Sequence, residues 1–189
     1  MRCLSCEKLS FFIICKKCQN TLLIPNFYKK ELVKDFFVYS FYTYEEIETF
    51  ILSKYYFHGD RIYNILAKLA FSKFSSNFTY PTSLFAIAID DHTRHDFSHT
   101  AILTRHLNSS IITPLYNVLK ASNIVKYAGK DLEFRLKNPR KFIYTGNKNI
   151  DVILVDDLMT TGTTILEARK VLKKYRVNVL FALTLCTLQ

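Results

Sequence analysis

Val152-Ile153-Leu154-Val155-Asp156-Asp157-Leu158-Met159-Thr160-Thr161-Gly162-Thr163-Thr164 is the stretch that decides the fold. An apolar run ends in two adjacent carboxylates, and a loop follows with one glycine among four threonines. The run predicts a parallel strand buried on both faces. The carboxyl end of such a strand is where open α/β sheets hold their ligands. Gly162 is free to take positive φ, which lets successive backbone N–H groups converge on an anion. The residues after the loop predict a helix, whose unpaired N–H groups and positive dipole end favour an anion as well. A phosphate fits there, and the two carboxylates remain for ribose hydroxyls or a divalent cation. This is the layout of a sugar-phosphate site.

Other phosphate motifs are excluded. A Walker A loop needs G-x-x-x-x-G-K-[ST], but no lysine follows Gly162 and no glycine stands five positions before it. A dinucleotide fingerprint needs G-x-G-x-x-G, and the four glycines of this chain are all isolated. Thr164 and Glu167 fit the S/T-x-x-E capping box, so one threonine is expected to serve the helix. Capping accounts for neither the Asp-Asp pair nor the other threonines.

The length of 189 residues predicts one domain with room for a small appendage. A hydrophobic share of 49% supports a real core. The formal charge of +10 points to polyanionic partners: nucleic acid, phosphorylated ligands or an acidic membrane surface. No apolar run approaches the roughly 20 residues of a membrane span. Cys3 and Cys6 stand where a signal peptide would carry its apolar region, so a cytosolic location is expected, with peripheral membrane association left open.

Four of the five cysteines form two pairs, Cys3-x-x-Cys6 and Cys15-x-x-Cys18. Disulfides are not expected in a reducing compartment. Two such knuckles offer four thiolates to a tetrahedral zinc ion, and a segment too small for its own core would draw folding energy from the metal. A closed all-thiolate site has no open position, which makes a structural role the expectation. Cys186, in an apolar stretch near the C-terminus, is expected in the core.

Along the chain, Pro25-Asn26 marks a boundary between a zinc-binding segment, 1–25, and a larger domain, 26–189. A basic, aromatic stretch runs from Phe27 to Tyr44 with a strand near Phe36–Phe41. Helices are expected over 45–57 and then from a cap at Asp60, with Ile62, Ile65, Leu66 and Leu69 on one face. Strands are expected at Leu84–Ile89, Ile111–Pro114, Phe142–Tyr144, Val152–Val155 and Val177–Cys186, and helices at Phe97–Leu107 and Ile165–Lys174. Residues 116–140 read as a long basic loop, of the kind usually kept for function. The alternation of strand and helix implies a mostly parallel sheet.

The acidic pair and Thr-Thr-Gly-Thr-Thr loop resemble the phosphoribosyl pyrophosphate (PRPP) motif of the type I phosphoribosyltransferases. Further blocks narrow the resemblance to the ComF/GntX group, bacterial proteins with a four-cysteine zinc knuckle before a phosphoribosyltransferase domain. The double CxxC is one block. Tyr44 through Ala70, with Lys54, Gly59 and Asp60, is similar to another. Residues 94–101 resemble the R-G-F-N-Q-A block loosely: Phe97 matches, while Asp96 and Ser98 stand where glycine and asparagine are expected. Arg135-x-x-Asn138 with Phe142 is similar to a further element. The resemblance covers nearly the full length. It implies an α/β chain of type I phosphoribosyltransferase fold, a mostly parallel sheet flanked by helices, with a small N-terminal zinc-binding segment.

For the site, the resemblance implies that Asp156 and Asp157 meet the ribose hydroxyls and that Thr160, Thr161, Gly162, Thr163 and Thr164 cradle the 5′-phosphate. It also implies that Asp90, Asp91 and Arg94 lie where pyrophosphate and Mg²⁺ are bound. Purine enzymes of this class keep an Asp as base three positions after the acidic pair, where this chain has Thr160, so purine salvage is disfavoured. His95 and His99 are expected to be exposed or capping.

The group is associated with natural transformation, acting on incoming single-stranded DNA at the cytoplasmic side of the inner membrane, which implies single-stranded DNA and other competence proteins as partners. A basic groove with stacking rings is what a single strand needs. Lys120, Lys126, Lys130, Arg135, Lys137, Arg140 and Lys141, interleaved with Tyr116, Tyr127, Phe134 and Phe142, are the candidates. The alternatives are an active phosphoribosyltransferase with an unknown nucleobase-like or DNA acceptor, and a PRPP-sensing regulator.

Overall fold

The computed structural model describes residues 1–89, 97–123 and 132–188, with only the backbone described at 132, 135 and 136. Its centre is a six-stranded sheet. In chain order the strands are β1 (Tyr28–Val33), β2 (Phe36–Thr43), β3 (Leu84–Ala88), β4 (Ile112–Leu115), β7 (Asp151–Met159) and β8 (Asn178–Thr187). Their order across the sheet is β1-β2-β8-β7-β3-β4. Only β1 runs antiparallel, joined to β2 as a hairpin; the other neighbours are all parallel. The mostly parallel α/β sheet flanked by helices, with a cysteine cluster at the N-terminus, is the architecture that the alternating pattern predicts. A separate two-stranded ribbon pairs β5 (Leu119–Ala121) with β6 (Phe142–Tyr144).

Strand β7 lies inside the sheet, between β8 and β3. Its residues Val152 to Val155 are fully buried because successive side chains enter opposite apolar layers. Val152 and Leu154 pack in one layer; Ile153 and Val155 pack in the other. Burying each of these side chains contributes roughly 1.5–3 kcal/mol. That run fixes the register which brings Asp156 level with Thr184 on β8 and Leu158 level with Cys186.

One layer is helical: α2 (Tyr44–Ile51), a 3₁₀ turn (Leu52–Tyr55), α3 (Gly59–Ala67), a π-helical segment (Lys68–Ser72), α4 (Lys73–Asn77) and α5 (His99–Arg105). Phe41, Phe71, Phe74, Phe78 and Phe181 pack among these helices and the sheet, so much of the aromatic content is core. The other layer is α7 (Thr163–Lys174), packed through Ile165, Ala168 and Leu172. Helices α1 (Lys16–Leu22) and α6 (Leu132–Lys137) are short. No helix among the described residues is long and apolar enough to cross a membrane.

Several expected boundaries move. The helix expected over 45–57 closes as a 3₁₀ turn at Tyr55, and the next begins at Gly59, with Asp60 in its first turn rather than at its cap. A Cβ at Gly59 would meet the carbonyl oxygen of Ser53, so the tight turn between these helices needs glycine. The 116–140 stretch carries β5 and α6, short elements whose few residues give no readable period. β7 runs on through the acidic pair to Met159. The Thr164–Glu167 capping box does not form: Gly162 is the N-cap of α7 without a side-chain cap. A capping box does form at α2, between Thr43 and Glu46. Ile62 and Leu66 are buried as expected, with Ile65 and Leu69 at the edge of that face.

Candidate functional site

The acidic pair stands on β7 where the chain leaves the sheet at its carboxyl end. Adjacent strand residues face opposite layers, and the pair is split accordingly. Asp157 is buried, 7% exposed, and its Oδ2 receives three groups. Lys54 Nζ lies at 2.6 Å, the Tyr63 hydroxyl donates at 3.4 Å, and His99 Nε2 lies at 3.5 Å. The Tyr63 hydroxyl also reaches the Ile51 carbonyl at 3.2 Å, and the Cys186 thiol donates to the Asp157 carbonyl at 3.7 Å. Asp156 is half-buried, and its Oδ1 accepts the Asp157 N–H at 2.8 Å.

These surroundings drive the two carboxyls apart. Burial and the neighbouring Asp157 push Asp156 well above the usual carboxylate range, opposed by the Asp157 N–H and the Arg140 charge. Burial would also raise Asp157, but Lys54 and His99 outweigh it and hold this carboxyl below its ordinary value. Burial pulls on Lys54 in turn, yet the Asp157 charge wins and keeps its ammonium protonated above the ordinary lysine value. The result is one firmly ionised, enclosed carboxylate beside one whose charge awaits a partner.

The loop after the pair presents donors that an anion could use. Gly162 adopts φ +77°, left-handed backbone that glycine takes without strain, and opens α7 directly. The Thr161 and Thr163 hydroxyls lie 3.1 Å apart, and the first N–H groups of the helix have no intrahelical acceptor. The hairpin residue Leu32 packs against Gly162: a Cβ there would come within 2.5 Å of the leucine Cδ1. Glu167, one turn further on, accepts the backbone N–H groups of Arg140 at 3.0 Å and Lys141 at 2.8 Å. The end of the basic segment is thereby tied to the helix that follows the Thr-Gly loop. An apolar cavity of about 420 Å³, lined by residues including Phe27, Phe41, Phe74 and Phe78, contains none of the acidic-pair or loop residues.

At the N-terminus the Sγ atoms of Cys3, Cys6, Cys15 and Cys18 all lie within 4.8 Å of one another. Cys6 and Cys15 Sγ are 3.8 Å apart, close to the edge of a tetrahedron with Zn–S bonds of about 2.3 Å. Backbone N–H groups of Ser5 and Cys15 point at the Cys3 sulfur at 3.4 and 3.2 Å, and that of Cys18 at the Cys15 sulfur at 3.4 Å. Burial raises the Cys3 thiol, but such N–H donors, with the Cys6 side chain, bring it down to about 6. A set of four cysteine sulfurs gathered in this way could hold a metal such as zinc. Cys186 is fully buried, as expected.

Asp90, Asp91, Arg94, His95, Lys126, Tyr127 and Lys130 lie outside the described residues, and of Arg135 only the backbone, in α6, is described. Lys120 sits half-buried on β5, and Lys141 is exposed before β6. Lys137 is exposed and paired with Glu133 at 2.6 Å. Among the interleaved rings, Phe142 is a core residue of the second layer and Phe134 is half-buried, while Tyr116 is exposed. His99, expected to be exposed or capping, instead faces Asp157 with its side chain 16% exposed. Sequence reasoning missed Lys54, Tyr63 and His99 as site residues. Lys54 and Asp157 are 103 positions apart, a pairing that no local spacing encodes.

No family model matches the chain, and no curated protein matches it. Solved structures similar to it include phosphoribosyltransferases. The chain is similar to a hypoxanthine phosphoribosyltransferase from Staphylococcus aureus, with a TM-score of 0.41, 15% identity, and coverage of 66% of this chain and 62% of that one. It is similar to UMP synthase from Leishmania donovani, with a TM-score of 0.40, 16% identity, and coverage of 67% of this chain and 22% of that one. It is also similar to adenine phosphoribosyltransferase from Saccharomyces cerevisiae, with a TM-score of 0.38, 14% identity, and coverage of 89% and 88%. The chain thus spans less than two thirds of the length of the first two.

Proposed function

We propose that this chain binds PRPP and serves natural transformation, handling incoming single-stranded DNA at the cytoplasmic side of the inner membrane. The observation that carries the PRPP reading is the junction of β7 and α7. An acidic pair ends an interior parallel strand, and Gly162 at φ +77° leads straight into a helix N-terminus. A 5′-phosphate suits Thr160–Thr164, the ribose suits the carboxylate beside them, and Mg²⁺ accompanies the pyrophosphate. Zinc suits the four cysteines as a structural ion. The transformation role rests on the resemblance of the successive sequence blocks to the ComF/GntX group. The basic charge of the chain is compatible with it.

Thr160 argues for binding ahead of turnover. A purine enzyme keeps its carboxylate base at that position, and a threonine hydroxyl cannot take that proton near neutral pH. Calorimetric titration with PRPP and Mg²⁺, with and without single-stranded DNA, tests the reading. Binding of both ligands, with PRPP affinity shifted by DNA, is the expected result. A protein that ignores PRPP at millimolar concentration defeats the proposal. Pyrophosphate release with a nucleobase-like or DNA acceptor would move the assignment from a binding protein to a transferase.

A further inference from the structure

The two carboxylates of the acidic pair are held so differently that they cannot share one task. Asp157 lies in the layer of Ile153 and Val155, under the helices that begin at α2. Its Oδ2 is met from three elements: Lys54 on the 3₁₀ turn, Tyr63 on α3 and His99 on α5. Lys54 is itself only 18% exposed and lies closest, at 2.6 Å. An enclosed carboxylate with an ammonium at that distance is a completed ion pair. With three groups already on Oδ2 and its side chain only 9% exposed, Asp157 offers a ribose hydroxyl little access, and displacing the lysine would leave a second enclosed charge without its partner. Asp156, one residue earlier on the strand, is directed to the opposite face and is more exposed; the Arg140 charge that acts on it belongs to the segment held by Glu167 of α7.

We propose that Lys54 is a positioning residue that latches Asp157 into the fold, so that Asp156 is the carboxylate of the pair that meets the sugar. The proposal rests on the PRPP reading and assigns the two aspartates separate work. The latch ties the helical layer to β7 at the point where the strand delivers its ligand groups. It fixes the wall of the site rather than touching the ligand.

The experiment compares four variants of the full chain, Lys54→Met, Asp157→Asn, Lys54→Met/Asp157→Asn and Asp156→Asn. PRPP affinity in Mg²⁺ and the melting temperature are measured for each. Each single change in the latch leaves one enclosed charge unpaired and lowers Tm by several degrees; the double variant removes both charges and melts above either. The double variant is expected to bind PRPP at least about tenfold more tightly than Asp156→Asn, a difference of about 1.4 kcal/mol. A folded double variant that loses PRPP as completely as Asp156→Asn overturns the assignment, because Asp157 then touches the sugar. If the unaltered protein binds no PRPP, the PRPP reading fails by itself, and melting alone decides the latch. In that case recovery in the double variant supports it, and additive losses overturn it.

Discussion

Gly162 has two reasons to be glycine, and they act on different quantities. At φ +77° an alanine carries about 1–2 kcal/mol of backbone strain. The added Cβ also meets the Leu32 side chain, whose flexible end can move aside. Gly162→Ala should therefore lower stability by about 1–2 kcal/mol in chemical denaturation, mostly through the backbone. The same change turns the N–H groups of the anion loop, so PRPP affinity should fall further than stability; equal retention of affinity would show that the loop does not bind the phosphate. His106 gives a second residue-level test. Its Nδ1 lies 2.8 Å from the Ser72 hydroxyl and its Nε2 3.1 Å from Asn64 Oδ1. Burial, then Arg105 and Lys68, depress its pKa below the ordinary value of 6.5. A depressed histidine contributes stability above its unfolded pKa and loses it as pH falls through the lower folded one. Stability should drop as the pH falls below about 6.5. His106→Gln should flatten that drop, and denaturation curves with an unchanged slope would rule the contribution out.

At the scale of elements, the cysteine segment offers the cleanest test, because one ion should hold it. Cys3, Ile14, Cys18 and Leu23 enter the main core, and the Tyr42 hydroxyl donates to the Leu23 carbonyl at 3.1 Å. Chelation, or Cys15→Ser, should release bound zinc, open the first two dozen or so residues to proteolysis and lower the melting temperature of the whole chain. Mass spectrometry under native conditions that finds no zinc, with proteolysis unchanged by chelator, would remove the metal from the account. This segment was legible because its ligands are close in sequence and their spacing is the geometry. So was β7, whose apolar run names the strand and whose acidic end marks the candidate site. The capping boxes show the limit. Thr43-x-x-Glu46 and Thr164-x-x-Glu167 are the same pattern, yet only the first caps its helix. Gly162 starts α7 two residues before Thr164, and Glu167 is drawn to the backbone of Arg140 and Lys141. The competing partner comes from 26–27 positions away, and nothing local announces it. That Lys54, Tyr63 and His99 meet Asp157 was not legible for the same reason: tertiary packing, not spacing, brings them there.

For the whole molecule, the net charge of +10 is plain in the sequence, but its distribution is not. A single strand of nucleic acid would respond to the positions, since each phosphate neutralised by a cation releases counterions. Among the described candidates the cations are unequal. Lys137 already shares its charge with Glu133 four residues before it. Arg140 acts on Asp156, and its backbone is held by Glu167. Lys120 on the ribbon and the exposed Lys141 beside it are better placed to meet phosphates. If each makes one such contact, Lys120→Gln/Lys141→Gln should reduce the slope of log affinity against log salt by about 1.4, at about 0.7 per contact on a single strand. The loss should be the same for strands of different sequence, because phosphate contacts carry no base information. Lys137→Gln alone should change the slope least. Titrations across a salt series decide the matter: a slope unmoved by the double change takes the strand away from this ribbon, and an equal effect of Lys137→Gln would mean that the Glu133 pair opens when the strand binds.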